Sequence, residues 1–189
     1  MLRDLIVKNR SYRRFHQDKP IDRSTLLELV DLGRLSASGG NAQPLKYVLA
    51  CEPARNAAIF PHLAWAGFLA DWPGPAEGER PAAYVIILCD TDIAQHGGVD
   101  HGIAAQSILL GAAERGLGGC MIGSIDREGL RRTLALDSRY DILLVIALGA
   151  PAEIVELEEL PANGGTAYWR DADGVHHVPK RSLDEVVLD

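Results

Sequence analysis

A chain of 189 residues can form one ordinary domain with a substantial core, and its 47% hydrophobic and 24% charged residues are typical of folded globular proteins. Its formal net charge of −7 argues against a nucleic-acid-binding protein, because a protein without a broad basic face loses the main source of affinity for polyphosphate. The charged first residues and the lack of a long apolar run argue against a signal peptide and a membrane span, so we expect a cytoplasmic protein.

Neither the cysteines nor the histidines form a metal-binding pattern. Cys51, Cys89 and Cys120 lie far apart, each in an apolar run that predicts a strand, so we expect buried thiols and not ligands or disulfides. His176 and His177 are adjacent on a predicted strand, where neighbouring side chains point to opposite faces. We therefore predict no metal site.

A short amphipathic helix over residues 2–9 leads into a basic segment, residues 9–15 (NRSYRRF). An arginine fork and a serine hydroxyl together suit the oxygens of a phosphate. If the segment is extended, alternate side chains share a face, with Ser11, Arg13 and Phe15 on one face and Arg10, Tyr12 and Arg14 on the other. The alternative is a solvated basic patch that pairs with surface acids.

The next helix, which Asp22 is expected to cap, leads to a turn with more functional groups than a helix-to-strand connection needs. Two adjacent glycines, Gly39-Gly40, let the backbone pass close to a flat or charged ligand. Side-chain donors and acceptors come from Ser38, Asn41 and Gln43. The turn indicates a ligand site, and a capped helix followed by a simple tight turn is the alternative that stays open.

The middle of the chain predicts strands and helices, interrupted by one long loop. Apolar runs predict strands over 45–51, 82–89, 117–125 and 141–148, and helices are predicted from Pro53 to Trp65, from Asp100 to Arg115 and after Asp126. The helix from Asp100 is apolar almost all round, which indicates the domain centre or a subunit interface. The loop 68–81 is predicted to form a rim or cover over a site, or a set of dimer contacts.

The C-terminal region changes character after Pro151. An acidic connector, residues 153–159, comes first, and further on Asp173-Gly174 predicts a hairpin between two short strands. Lys180 and Arg181 then form a second basic group, at the opposite end of the chain from the basic segment. No internal repeat is present.

Taken together, these segments resemble the nitroreductase family of FMN-dependent oxidoreductases over nearly the whole chain, from about residue 3 to residue 187. The segments that carry the likeness are the basic segment 9–15, the turn 38–44, the glycine-rich helix end 116–120, the exit Met121-Ile122-Gly123 and the terminal Pro179-Lys180-Arg181. The resemblance implies an α+β fold, an α-β-α sandwich around a central, mainly antiparallel sheet, in a single domain over residues 1–189. It also implies an intertwined homodimer that exchanges a C-terminal extension, residues 151–189, between subunits.

The resemblance further implies a cofactor and its site. One FMN would lie in each of two clefts lined by both subunits, taking a hydride from NADH or NADPH and passing it to a small-molecule acceptor such as a nitroaromatic or a quinone. The residues expected to bind FMN are Arg10, Ser11, Arg13, Lys180 and Arg181 at the phosphate, Ser38, Gly39, Asn41 and Gln43 on the ribityl and ring side, and Ile122 and Gly123, whose backbone faces the flavin. A cation such as Arg13 near the ring would favour reduction. Because the bond-making belongs to the cofactor, we assign no protein acid or base.

Two departures from the family's pattern concern the acceptor. Leu45 stands where many members carry tryptophan, and the segment between Trp65 and Tyr84 is short compared with members that have a long helical cover. A more open cleft would take nitroaromatics or quinones, and a specific physiological substrate is equally compatible. Two alternatives therefore stay open: a non-catalytic flavin-binding dimer that kept the fold, and a flavin enzyme with a specific non-nitro substrate.

Overall fold

The structure is a computed structural model, and it describes residues 1–161 and 164–188. Its elements in chain order are α1 (Leu2–Lys8), β1 (Phe15–His16), α2 (Arg23–Arg34), β2 (Leu45–Ala50), α3 (Pro53–Ile59), β3 (Ala83–Asp90), α4 (Asp100–Glu114), β4 (Gly118–Ile122), α5 (Arg127–Leu134), β5 (Tyr140–Pro151), β6 (Val155–Glu159), β7 (Trp169–Arg170), β8 (His176–Lys180) and α6 (Leu183–Val186). Short 3₁₀ turns follow α2 and α3, at Gly39–Asn41 and Phe60–His62. Helices and strands are mixed along the chain, as the predicted α+β class requires.

Five strands form the central sheet, in the order β1-β5-β3-β2 with β4 also paired to β5. Each of these pairs is antiparallel, so the predicted sheet type is confirmed. β5 continues beyond the predicted end at Leu148, because Gly149 pairs with Gly118 and Pro151 pairs with Phe15. The Phe15 ring lies against Gly149, where a side chain would not fit. The longer strand therefore ties the basic segment, which ends at Phe15, to the sheet.

Helices cover both faces of the sheet. One core cluster contains Leu26 and Leu29 of α2, Ile108 and Leu109 of α4, and Val85 and Ile87 of β3. The other contains Ile59 of α3, Leu130 of α5, and Tyr84 and Ile86 of β3. Since alternate side chains of β3 enter the two clusters, the sheet lies between two helical layers. This is the predicted α-β-α sandwich.

α4 lies at the centre of the domain with one exposed stripe. Ala105, Ile108 and Ala112 are fully buried against the sheet and α2, whereas Ile103 is 39% exposed. The inner face of α4 therefore lies at the domain centre, as one of the two interpretations of its apolar sequence predicts. The outer stripe of α4 is exposed and could contact another molecule. Within the two described ranges, no helix has the length and apolar character needed to cross a membrane.

The C-terminal region forms a separate sheet of three strands in the order β6-β8-β7. β7 and β8 pair antiparallel around a turn in which Gly174 has a φ of 82°, so the predicted hairpin at Asp173-Gly174 is confirmed. β6 pairs parallel to β8. This small sheet places β8 beside the basic segment at the other end of the chain.

Candidate functional site

Residues from both ends of the chain line one cavity of ≈ 350 Å³, which we call the basic cavity. Arg10, Ser11 and Arg13 come from the segment between α1 and β1, and Lys180 is the last residue of β8. The structure therefore brings together four of the five residues expected at the phosphate. The fifth, Arg181, is exposed and its Nη1 donates to Glu185 Oε1 at 3.3 Å, outside this group.

A tight turn at Ser11 directs Arg10 and Arg13 to the same cavity. The Tyr12 N–H donates to the Arg10 carbonyl at 2.9 Å and to the Gly119 carbonyl at 3.0 Å. Ser11 also forms a parallel bridge with Gly119. The segment is therefore not regularly extended, so the condition for the alternation that would place Arg10 and Arg13 on opposite faces is not met. The turn places the charges of Arg10 and Arg13 at one cavity, whereas a straight strand would have put them on opposite faces.

Arg13 is the cation shared by two cavities. It lines the basic cavity and also a smaller cavity of ≈ 190 Å³ that the Ile122-Gly123 segment borders. Its Nη1 donates to the Ser11 carbonyl at 3.2 Å and lies 3.1 Å from His176 Nε2. Its guanidinium carbon lies 4.6 Å from the centre of the Tyr168 ring. Arg13 is thus held between the region expected for the phosphate and the backbone expected to face the flavin.

Two buried donors of residues that line the basic cavity lack a hydrogen-bond partner within the described chain, namely Arg10 Nε and His176 Nδ1. Burial lowers the pKa of the Arg10 guanidinium, and burial together with the charges of Arg13 and Arg170 lowers the pKa of His176 to about 4. His176 is therefore neutral at pH 7. Buried donors are rarely left unpaired, so this set of groups fits a ligand rich in acceptor oxygens, as a phosphate is.

The buried carboxylate of Glu153 anchors the basic segment from behind. Its side chain is fully buried, accepts the backbone N–H groups of Arg13 and Arg14, and pairs with Arg170 at 2.9 Å. Because Arg170 balances its charge, Glu153 fixes the backbone without taking the guanidinium of Arg13 as its ion-pair partner. Sequence reasoning missed this role, since Glu153 stands at the start of an acidic connector that looks solvent-exposed.

The loop 68–81 packs on the C-terminal region beside the basic cavity. Phe68 and Tyr168 form an edge-to-face pair with ring centroids 5.0 Å apart, and the Arg170 guanidinium lies 4.8 Å above the Trp72 ring. Tyr168 itself lines the basic cavity. These contacts favour the interpretation of the loop as a rim.

Asp100 organises the turn that precedes β2. The Ser38 hydroxyl donates to Asp100 Oδ2 at 2.6 Å, and the Gly39 N–H donates to Oδ1 at 3.0 Å. The Gln43 N–H donates in turn to Ser38 Oγ at 2.9 Å. The Ser38 hydrogen bond is the main cause that lowers the pKa of Asp100, which is only 6% exposed. Sequence reasoning missed Asp100 because it lies 62 positions after Ser38.

The turn has an unusual backbone. Gly40, Asn41 and Gln43 all have left-handed φ values, of 56°, 55° and 53°. For Asn41 and Gln43 this conformation is strained, and strain of this kind is often found at ligand sites. The Gln43 side-chain amide donates to the Asn41 carbonyl at 3.3 Å, and the side chain of Asn41 is exposed.

Within the described chain, the turn borders a different cavity from the basic one. Ser38 and Gln43 line a cavity of ≈ 470 Å³ together with Leu45, Tyr47 and Asp100, which we call the turn cavity. Gly39 and Asn41 line neither cavity. The described residues of a single chain therefore bring together four of the five expected phosphate residues, and Arg13 with Ile122 and Gly123, but they do not bring the turn to them.

Comparison with known proteins identifies the family. A family model described as "Nitroreductase family" matches residues 6–150, which is more than half of the chain. The chain belongs to the nitroreductase family. The resemblance inferred from the sequence is confirmed, and membership makes this protein an oxidoreductase.

Individual relatives and solved structures are similar to this chain in sequence or in fold. A relative from Methanothermobacter thermautotrophicus, whose name proposes NADH dehydrogenase/NAD(P)H nitroreductase activity, is 27% identical, and the match covers 90% of this chain and 83% of the relative. A nitroreductase family protein from Streptococcus pneumoniae has the same fold, with a TM-score of 0.74, 16% identity and 100% coverage of both chains. The NADPH:FMN oxidoreductase from Vibrio harveyi, solved with NAD+, gives a TM-score of 0.66 and 24% identity over 86% of this chain and 74% of its own.

Proposed function

We propose that this nitroreductase-family protein is an FMN-dependent oxidoreductase that uses NADH or NADPH to reduce an organic acceptor such as a nitroaromatic or a quinone. The observation that carries the proposal is the basic cavity, where cations from both chain ends meet two buried donors that have no partner among the described residues. A phosphate monoester carries about −1.5 to −2 charge at pH 7 and needs such compensation. FMN, when bound, supplies the hydride-transfer chemistry. The names of the Methanothermobacter and Vibrio proteins support the choice of nicotinamide and flavin.

The protein's own groups bind and orient the cofactor. Arg10, Ser11 and Lys180, which line the basic cavity, would hold the phosphate, and Arg13, which lines both cavities, would favour negative charge on the ring. The backbone at Ile122-Gly123 borders the smaller cavity that Arg13 shares. His176 is neutral at pH 7 and has a charged guanidinium beside it, which makes it a poor proton donor. The proposal therefore includes no protein acid or base.

A second copy of the chain completes the site in this proposal. The turn that contains Ser38, Gly39, Asn41 and Gln43 would come from one subunit and the basic cavity from the other, in a homodimer of single-domain subunits. Apolar side chains exposed on one chain support such an interface, namely Leu2, Ile6 and Val7 of α1, Leu27 of α2 and Ile103 of α4. Leu183, Val186 and Leu188 near the C-terminus are also exposed, which supports exchange of residues 151–189. The participation of Arg181 stays a prediction.

The proposal is tested by spectroscopy of the purified protein. We expect a yellow protein whose released cofactor is FMN, which bleaches under anaerobic titration with NADH or NADPH and regains colour when a nitroaromatic or a quinone is added. Sedimentation should give a mass twice the 20.5 kDa of the chain. Colourless protein that cannot be reconstituted with FMN would end the proposal.

Variants show whether the basic cavity is the binding site. Arg10→Ala should lose FMN, whereas Arg132→Ala, which removes an exposed arginine from α5 on the other side of the sheet, should retain it. Equal loss in both variants would point to a general charge effect. Bound FMN without oxidation of either nicotinamide would favour the non-catalytic alternative, and rapid reduction without turnover on nitroaromatics or quinones would favour a specific substrate.

A further inference from the structure

His176 contacts Arg13, a cation that borders both the basic cavity and the Ile122-Gly123 segment. It lies on β8, is 1% exposed, and its Nε2 is 3.1 Å from Arg13 Nη1. A guanidinium can only donate, so Nε2 must accept and the ring must be neutral with its proton on Nδ1. The lowered pKa of His176, about 4, agrees with this state.

The contact with His176 leaves one edge of the Arg13 guanidinium without a hydrogen bond to the described residues. Nη1 has two hydrogens, and its two partners in the described chain are the Ser11 carbonyl at 3.2 Å and His176 Nε2. Nε and Nη2 have no hydrogen bond to the described residues, and together they form a flat edge of parallel donors. Such an edge is suited to two acceptor atoms on a ligand. The Tyr168 ring, 4.6 Å away, restricts the guanidinium from its face.

We infer that His176 is a positioning residue, which fixes Arg13 through Nη1 so that the Nε and Nη2 edge faces the flavin ring. The inference rests on the proposed function, because it assigns a task to Arg13 at that same site. Arg13 is the member of the phosphate group that also borders the Ile122-Gly123 segment, and this is the reason for choosing the ring over the phosphate. Without the acceptor at His176, Nη1 keeps only the Ser11 carbonyl among its described partners, so the orientation of the guanidinium is held less firmly.

The midpoint potential of bound FMN tests this role. In His176→Leu, loss of the oriented cation should reduce the preference for reduced over oxidised FMN about tenfold, which lowers the potential by about 30 mV for a two-electron couple. His176→Gln keeps an acceptor oxygen at the end of the side chain and should recover most of the potential. An unchanged potential in His176→Leu, or the same decrease in His176→Gln, would overturn the inference.

His177 offers a matched control on the same strand. Its Nδ1 lies 2.5 Å from Glu158 and its Nε2 3.1 Å from Asp171, and its ring stacks on Trp169 at 4.1 Å, so it has structural contacts away from Arg13. His177→Gln should loosen the C-terminal sheet, seen as a lower melting temperature, and leave the potential unchanged. A potential shift equal to that of His176→Leu would show that general loosening of β8 is responsible, and would overturn the inference.

A second measurement separates this inference from the proposed function. In the flavin-free protein, ¹⁵N spectra of the imidazoles at pH 7 should show His176 neutral with its proton on Nδ1. A charged ring, or a proton on Nε2, would contradict the positioning role whatever cofactor the protein uses. If FMN does not bind but the expected tautomer is present, the proposed function fails while the Arg13–His176 contact stands.

Discussion

Replacing Asp100 by asparagine tests whether the turn from Ser38 to Gln43 depends on one buried carboxylate. Asp100 accepts from the Ser38 hydroxyl at 2.6 Å and from the Gly39 N–H at 3.0 Å. Asparagine has one acceptor oxygen, so its amide nitrogen must face one of these two donors. If the oxygen keeps the Gly39 N–H, the Ser38 hydroxyl hydrogen loses its acceptor, and Ser38 Oγ can then only accept, from the asparagine amide and from the Gln43 N–H.

The expected loss follows from these contacts. A hydrogen bond to a charged group contributes about 1.5 to 3 kcal/mol, and the substitution removes one such bond and makes the other neutral. Loss of the charge at the first residue of α4 adds about 0.3 to 1 kcal/mol. We therefore expect Asp100→Asn to reduce the free energy of unfolding by about 2 to 4 kcal/mol, from the sum of these two contributions.

Urea unfolding followed by circular dichroism measures this loss. A double-mutant cycle with Ser38→Ala isolates the Asp100–Ser38 pair, and we expect a coupling energy of about 1 to 2 kcal/mol. A loss below about 0.5 kcal/mol in Asp100→Asn, the range of ordinary surface substitutions, would refute the role of Asp100 as the organiser of the turn.

Three further predictions concern the basic cavity, the response to acid and one helix end. Arg10→Ala is expected to weaken FMN binding about tenfold to a hundredfold in a fluorescence titration, because a hydrogen bond to a charged group contributes about 1.5 to 3 kcal/mol. Arg181→Ala should change FMN binding only a few-fold, because Arg181 is exposed and paired with Glu185. The pKa of His176 falls from 6.5 to about 4 on folding, so the unfolded chain binds the proton more tightly than the folded chain does. The free energy of unfolding should therefore decrease as the pH falls from about 6.5 to about 4, and then level off. We expect this decrease to be about 1 to 3 kcal/mol and smaller in His176→Gln, and equal pH profiles of urea unfolding in the two proteins would contradict it. Ala135 ends α5 with a left-handed φ of 50°, a conformation that glycine adopts without strain. Ala135→Gly should therefore raise the free energy of unfolding by about 0.5 to 1 kcal/mol. A decrease would show that the Ala135 methyl group makes contacts that outweigh the strain.

The elements of the fold could be predicted because their signals are local. Asp22 and Asp126 cap their helices through side-chain hydrogen bonds, as their positions before helical patterns indicate. The run from Ala83 to Asp90 is buried on both faces, as an uninterrupted apolar run predicts for a central strand. Helix ends were less accurate, since the predicted helix from Pro53 to Trp65 stops at Ile59 and passes into a 3₁₀ turn that contains a proline.

The candidate site could be predicted only where its residues form a compact motif. Arg10, Ser11 and Arg13 lie within four positions, and Lys180 belongs to a second basic group, so composition alone draws attention to them. The groups that support them are distant in sequence. His176 reaches Arg13 across 163 positions, and no periodicity encodes such a contact. The turn at Ser11 could not be predicted from the sequence either, because its geometry depends on hydrogen bonding to β4.

The basic segment is attached to the sheet on both sides of Arg13. Ser11 bridges to Gly119 on one side, and Phe15, which is fully buried, pairs with Pro151 on the other. Local fraying that moved Arg13 would have to break both attachments and expose the Phe15 ring to water, so this stretch should exchange its amide hydrogens only in rare openings. A molecule bound beside this segment would dissociate without any opening of the segment. Its residence time would then depend on the contacts between the molecule and the protein.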